Sequence, residues 1–178
     1  MFKGLLIRIY NAVLRRMMAP LPYARYLGVK IGKDCRIYTK NWGSEPFLVS
    51  IGDRVTVTAS VTFLTHDGST WLIRNSDGKR YQKYKKVVVG NDVFLGVNTI
   101  IMPGVQIGSN VIIGAGAVVS KDIPDNSVAV GNPARIIQTF DNYRAKVVAF
   151  ELDDNLSFEE RVNQAILLAA AKQFDNAN

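Results

Sequence analysis

The sequence predicts an all-β solenoid of short stacked strands, and three observations carry that expectation. Val89, Leu95, Ile101, Ile107, Ile113 and Val119 recur at intervals of six. A second series of small or β-branched residues follows each of them by four: Val93, Thr99, Val105, Val111, Ala117 and Ile123. Gly90, Gly96, Gly108 and Gly114 come directly after four of the aliphatic positions. Neither the helical period of about 3.6 nor the strand period of about 2 generates such a repeat. Each unit reads as one short strand and one turn. The aliphatic side chain points into a narrow core, and glycine supplies the backbone freedom of a sharp corner. One unit cannot bury its apolar side alone, so units stack and each coil covers the next.

The same register appears earlier in the chain. Ile51-Gly52-Asp53-Arg54-Val55, then Val57 and Phe63, continue the steps of six, and Ile31-Gly32-Lys33-Asp34-Cys35 with Ile37 forms a shorter run. Two stretches interrupt it: residues 38–50, with Asn41-Trp42-Gly43-Ser44-Glu45-Pro46, and an inserted loop at 67–88 that is polar and basic. Near the C-terminus, Ser157-Phe158-Glu159-Glu160 has the form of a capping box, and Phe158, Val162, Ile166 and Ala169 recur at helical spacing. A helix of roughly 16 residues is expected there.

A length of 178 residues fits one main domain, and the 48% hydrophobic content can fill a core. No apolar run reaches the roughly 18 residues that span a bilayer. Residues 1–18 are apolar but carry Lys3, Arg8, Arg15 and Arg16 without a small-residue cleavage site, so a signal peptide is not expected. The single cysteine, Cys35, has no partner for an internal disulfide and falls on an inward slot of the repeat. It reads as a core residue in a reducing, cytoplasmic setting.

The net charge of +7 is an N-terminal property. Residues 1–36 hold eight Lys/Arg against Asp34 alone, and the remaining 142 residues hold 14 basic and 14 acidic side chains. No recognition motif or basic-aromatic strip supports nucleic-acid binding. Residues 1–27 are expected to cap the open end of the solenoid or to rest on an anionic membrane surface, the latter through residues 1–18. The inserted loop has its own excess: Arg74, Lys79, Arg80, Lys83, Lys85 and Lys86 face Asp77. That excess fits either a solvated loop or contact with an anionic ligand, a phosphate or an acidic sugar.

His66, the one histidine, lies in Phe63-Leu64-Thr65-His66-Asp67-Gly68, where the register is lost and the loop begins. A rigid strand that ends at an inserted loop is a natural place for a site, and histidine is suited to taking a proton near neutrality.

The repeats at 51–66 and 89–123, the Thr65-His66-Asp67-Gly68 turn, Ser120-Lys121-Asp122-Ile123-Pro124 and Val130-Gly131-Asn132-Pro133-Ala134-Arg135-Ile136-Ile137 resemble the hexapeptide-repeat acyltransferases. Within that family the chain looks most like bacterial polysaccharide O-acetyltransferases of the maltose and galactoside acetyltransferase group. The resemblance implies a left-handed parallel β-helix over residues 28–138, followed by a helical extension over 139–178. It implies a homotrimer with sites between subunits, acetyl-CoA as donor, a carbohydrate hydroxyl as acceptor, and His66 as general base acting without an acyl-enzyme. No metal is required. Glu45, 21 positions before His66 and about one coil away, is the preferred partner for the second ring nitrogen. Asp67 is the other candidate, although adjacent positions on a strand face opposite ways. The resemblance also places coenzyme A against Ala115, Ser120, Lys121 and Arg135. Val97 stands where a relative has Ser, and Gln138 where one has Arg. Trp42 and Trp71 would stack on a sugar or pack in the core or between subunits.

A zinc-dependent hydratase would need about three His ligands, and a nucleotidyltransferase or serine acetyltransferase would need a larger N-terminal region. The readings that remain beside O-acetylation are an amino-sugar N-acetyltransferase and a non-catalytic scaffold.

Overall fold

The computed structural model describes residues 10, 12–148, 152 and 155–175. The chain divides into two compact units, Met1–Phe140 and Asp141–Asn178.

In the first unit, helix α1 (Pro20–Tyr26) starts with proline, whose missing N–H costs nothing in a first turn. Ala24 is fully buried and Tyr23 nearly so; Ala24 joins the same apolar cluster as Val29 and Ile37, so α1 covers the first coil. Of the basic N-terminal segment, residues 1–9 and 11 lie outside the described residues, which leaves the expected membrane contact without structural description. Among the described residues, no helix is long and apolar enough to cross a membrane.

The strands then circulate around three sheets in turn. One holds β1 (Lys30–Ile31), β3 (Val49–Ile51), β6 (Val87–Val89) and β9 (Gln106–Ile107). The next holds β2 (Arg36–Ile37), β4 (Thr56–Val57), β7 (Val93–Leu95), β10 (Val111–Ile113) and β12 (Ser127–Val130). The third holds β5 (Thr62–Phe63), β8 (Ile100–Ile101) and β11 (Val118–Val119). All of these pair in parallel, and β13 (Arg135–Thr139) folds back antiparallel on β12 to end the stack.

Register shows how the hexapeptide becomes a coil. Val89 pairs with Ile107, Leu95 with Ile113 and Ile101 with Val119, each a step of 18, or three units of six. Both repeating series from residue 89 to 123 are at most 5% exposed, so one side chain per strand and one per turn fill the interior. Burying each large aliphatic side chain contributes about 1.5–3 kcal/mol. In the earlier coils the steps lengthen. Ile31 pairs with Ile51 at a step of 20, and Ile51 with Val89 at a step of 38. The first break thus adds two residues to a coil and the second adds twenty.

The corner glycines have a different purpose from the one expected. The left-handed backbone sits two residues later, on Asp34, Arg54, Asp92 and Asn110, with φ of 54° to 56°. Asn and Asp tolerate that region; Arg54 is held in it with its side chain paired to Asp92. What each glycine supplies is space. A Cβ on Gly90 would lie 2.7 Å from the carbonyl carbon of Gly108 in the next coil, and one on Gly52 would lie 2.5 Å from the Gly90 oxygen. Side chains beside the glycines stitch the same corner. Asp53, Asn91, Ser109 and Asp125 each accept the backbone N–H of Lys33, Asp53, Asn91 and Ser109 respectively, at 2.7–3.0 Å.

The inserted loop ends earlier than expected, at Lys86. Val87 begins β6 because three consecutive valines pair with Val49–Ile51 and bury Val87 and Val89. The loop is an arm folded on itself. Its base is a short antiparallel pairing: Asp67 N donates to Lys83 O at 3.1 Å, Lys85 N donates to Thr65 O at 2.8 Å, and His66 faces Tyr84. Asn75 turns the tip, its side chain accepting from the N–H groups of Asp77 and Lys79.

In the second unit, α3 (Phe158–Asp175) begins where the capping box placed it. Ser157 N donates to Glu160 Oε2 at 2.9 Å and Glu160 N donates to Ser157 Oγ at 3.4 Å. The helix runs 18 residues, one half-turn beyond the expectation. A preceding helix, α2 (Phe140–Val148), lies within the expected helical extension but was not delimited: its apolar residues form no clear stripe, and its acidic first turn and basic last turn were the available signals.

Candidate active site

Along β5 and the residues that follow, alternation decides which way each side chain faces. Phe63 and Thr65 point inward and are buried, so His66 points out, with its side chain 40% exposed. Phe63 is packed flat against Trp42, ring centroids 4.8 Å apart and planes within 8°. Trp42 is therefore a core residue and not a sugar platform. It gives the end of β5 a stiff base.

Glu45 comes from the first break. On this face Asn41 pairs in parallel with Thr62, a step of 21, and Glu45 to His66 is the same step. The two added residues bulge into a single 3-10 turn, Pro46–Leu48, which Glu45 precedes. The carboxylate thus stands one coil away from the imidazole. Glu45 Oε2 lies 3.0 Å from His66 Nδ1 and accepts a 2.6 Å hydrogen bond from Thr65 Oγ1. Partial burial pushes the Glu45 carboxyl up, but the hydrogen bonds from Thr65 and His66 outweigh it and hold the group below its ordinary range. An ionised carboxylate can only accept, so Nδ1 carries the hydrogen in that bond and the neutral ring keeps its lone pair on Nε2. Among the described residues Nε2 has no hydrogen-bond partner.

Asp67, the rival partner, is engaged elsewhere. Its carboxylate accepts from Ser69 N at 3.1 Å and Ser69 Oγ at 2.6 Å and caps the 3-10 turn Gly68–Leu72. Those bonds, with a smaller contribution from Lys83, hold it below the usual range. Thr65 was quoted in the sequence only as part of the Thr65-His66-Asp67-Gly68 turn, with no role of its own. The available signal was a β-branched hydroxyl on an inward slot beside the histidine.

His66 stands between two depressions. One, of about 180 Å³, is walled by Glu45, Asp67, Thr70, Arg80, Lys83 and Tyr84. The other, of about 380 Å³, runs from His66 past Lys85, Met102 and Pro103 to Ser120. Tyr84 leans over the imidazole, ring centroids 6.0 Å apart. Of the four coenzyme A candidates, Ser120 reaches the second depression, with Lys121 exposed directly after it. Ala115 is an exposed corner residue stacked closely on Gly96, where an added Cβ would lie 2.5 Å from the Ala115 nitrogen. Arg135 is exposed on β13 and donates to Ala134 O at 3.0 Å. Ala115, Lys121 and Arg135 line neither depression. Lys85, named beforehand only among the loop cations that could meet an anionic ligand, lines one, as do Met102 and Pro103, which the sequence did not single out.

This arrangement offers a base with a fixed tautomer, open on one nitrogen, with room for a molecule on each side. The bacterial transferase hexapeptide model (six repeats) matches residues 86–121. Protein CapG of Staphylococcus aureus is 43% identical over 145 residues, covering 78% of this chain and 79% of that protein. Galactoside O-acetyltransferase of Escherichia coli (strain K12) is 38% identical over 94 residues, which is 53% of this chain and 45% of that enzyme. A solved galactoside acetyltransferase in complex with coenzyme A shares the fold, with a TM-score of 0.54 at 21% identity over 78% of this chain and 82% of that one. The six-residue repeat, the parallel coils and these relatives together show that the chain belongs to the hexapeptide-repeat acetyltransferases, enzymes built on a left-handed parallel β-helix.

Proposed function

We propose that the protein transfers an acetyl group from acetyl-CoA to a sugar hydroxyl in the biosynthesis of a surface polysaccharide, with His66 as general base and Glu45 as its positioning residue. The observation that carries this reading is the 3.0 Å contact between His66 Nδ1 and Glu45, which leaves Nε2 unengaged on a side chain that lines both depressions. The acceptor enters from the Glu45 and Tyr84 side, and the thioester from the Ser120 side.

A sugar hydroxyl is a weak nucleophile until its proton leaves. His66 Nε2 takes that proton while the oxygen bonds to the thioester carbonyl carbon. The resulting oxyanion needs a nearby N–H donor. When it collapses, the C–S bond breaks, the thiolate takes the proton back from Nε2, and an O-acetyl ester and free coenzyme A leave. Holding both substrates against one base supplies much of the acceleration. Ser120, Lys121 and Arg135 would meet the coenzyme A nucleotide, and Ala115 its pantetheine arm. In this reading the enzyme is a cytoplasmic homotrimer, and its basic N-terminus brings it to the membrane surface where lipid-linked glycans are built.

The test is thiol release from acetyl-CoA with a panel of mono- and oligosaccharides, followed by mild alkali on the product. Acceptor-dependent thiol release with an alkali-labile acetyl group supports the reading. An alkali-stable acetyl group would replace it with N-acetylation.

A further inference from the structure

The arm at 67–86 carries Arg74, Lys79, Arg80, Lys83, Lys85 and Lys86 against Asp67 and Asp77. A merely soluble loop would scatter these charges, but the fold sorts them. Lys85 lines only the depression that leads to Ser120, Arg80 lines only the one beside Glu45, and Lys83 borders both. The acids in the depression beside Glu45 are already occupied: Glu45 by Thr65 and His66, Asp67 by Ser69. Among the described residues neither Arg80 nor Lys83 has an ion-pair partner. Arg80 is also held in place. The exposed ring of Trp71 takes Arg74 at 4.7 Å and Arg80 at 5.3 Å from its centroid, so the guanidinium rests on an aromatic surface. Stacking leaves the edge N–H groups of an arginine available, and that planar fork matches an oxyanion better than an ammonium does.

We infer that the acceptor is an acidic sugar, its carboxylate or phosphate read by Arg80 with support from Lys83 while the hydroxyl to be acetylated lies at His66 Nε2. This deepens the proposed function and rests on it for the identity of the reaction. Trp71 acts through Arg80 as a positioning residue. The cations beside His66 thus divide the work: Lys85 faces the donor, Arg80 the acceptor, and Lys83 borders both.

The test is calorimetric binding, which needs no turnover, so a failure of acetyl transfer would not be mistaken for a failure of the anion site. The probes are a uronate oligosaccharide, its carboxyl-reduced counterpart, and a sugar phosphate. Wild type should bind an acidic probe roughly tenfold or more tightly than the reduced one, the range of a charge-assisted hydrogen bond. Arg80→Ala should bring that ratio close to one, Arg80→Lys should recover part of it, and Lys79→Ala at the arm tip should leave it unchanged. Whichever acidic probe shows Arg80-dependent binding identifies the oxyanion. Equal binding of charged and reduced probes by wild type would overturn the inference. So would a preference that survives Arg80→Ala, or an Arg80→Ala variant that loses acetyl-CoA affinity instead.

Discussion

The coils above Val87 and the coils below Phe63 use the same six-residue unit, yet only the lower ones lengthen it, while the last coil above shortens to a step of 16, Val111 pairing with Ser127. From Val87 to Val119 every coil steps by 18, and the inward positions are aliphatic, small or β-branched. Below, the steps stretch to 20 and 38, and the extra residues deliver Glu45 from one coil and the arm after His66 from the next. A perfect repeat has nowhere to put a second functional group beside the first, because every strand end is already a tight turn. Two insertions in adjacent coils on one face provide that place. Regularity supplies stiffness, and its interruption supplies chemistry.

That contrast can be broken from either side. The largest effect on folding should come from the regular coils. Leu95 is fully buried between coils, and Leu95→Ala should cost about 2–5 kcal/mol by thermal or denaturant unfolding. A loss below about 1 kcal/mol would mean the interior is not tightly packed there.

A smaller effect, on rate first, is expected at the break. Glu45→Gln removes a charge-assisted bond to His66 worth about 1.5–3 kcal/mol, so kcat should fall roughly 10–100-fold while KM for acetyl-CoA holds. The same substitution has a pH signature. A carboxyl held below its ordinary value of 4.5 adds stability above that value and loses it as pH falls through the lowered one. The stability difference between wild type and Glu45→Gln should therefore be full at neutral pH and shrink under acid conditions. A difference that grows on acidification would reverse the assigned sign.

The smallest effect belongs to the corner. Arg54 and Asp92 form an exposed bidentate pair at 2.6 and 2.7 Å, and such pairs contribute little in water. Asp92→Asn, which keeps a residue tolerant of the left-handed backbone, should leave the unfolding midpoint and the rate unchanged within error. A clear drop in either would give the corners a larger share of the stability than the interior packing argument allows.

The period of six was legible because it is local: each inward residue and its turn recur in one stretch of chain, and every one of them is buried. Glu45 was legible as a partner because 21 positions is roughly one coil, although a regular step of 18 back from His66 lands on Leu48 and the first break supplies the difference. The glycines were misread for the opposite reason. Their need for space arises from the next coil, 16 or more residues away, while the local signal suggested only backbone freedom. Thr65 and the end of the arm at Lys86 were obscured likewise, the first because its partner sits in another coil, the second because valines after a basic run look like loop until they pair with β3. Trp42 was left open between sugar and core, and its stacking on Phe63 decides for the core.

The claim on which the rest depends is that His66 does chemistry and not support. The direct measurement is coenzyme A release by His66→Ala against wild type with the best acceptor, alongside the unfolding midpoint of both. A loss of roughly 10²–10⁴-fold in rate with an unchanged midpoint is the result expected of a general base on a rigid coil. Near-normal turnover in a folded His66→Ala variant would contradict it.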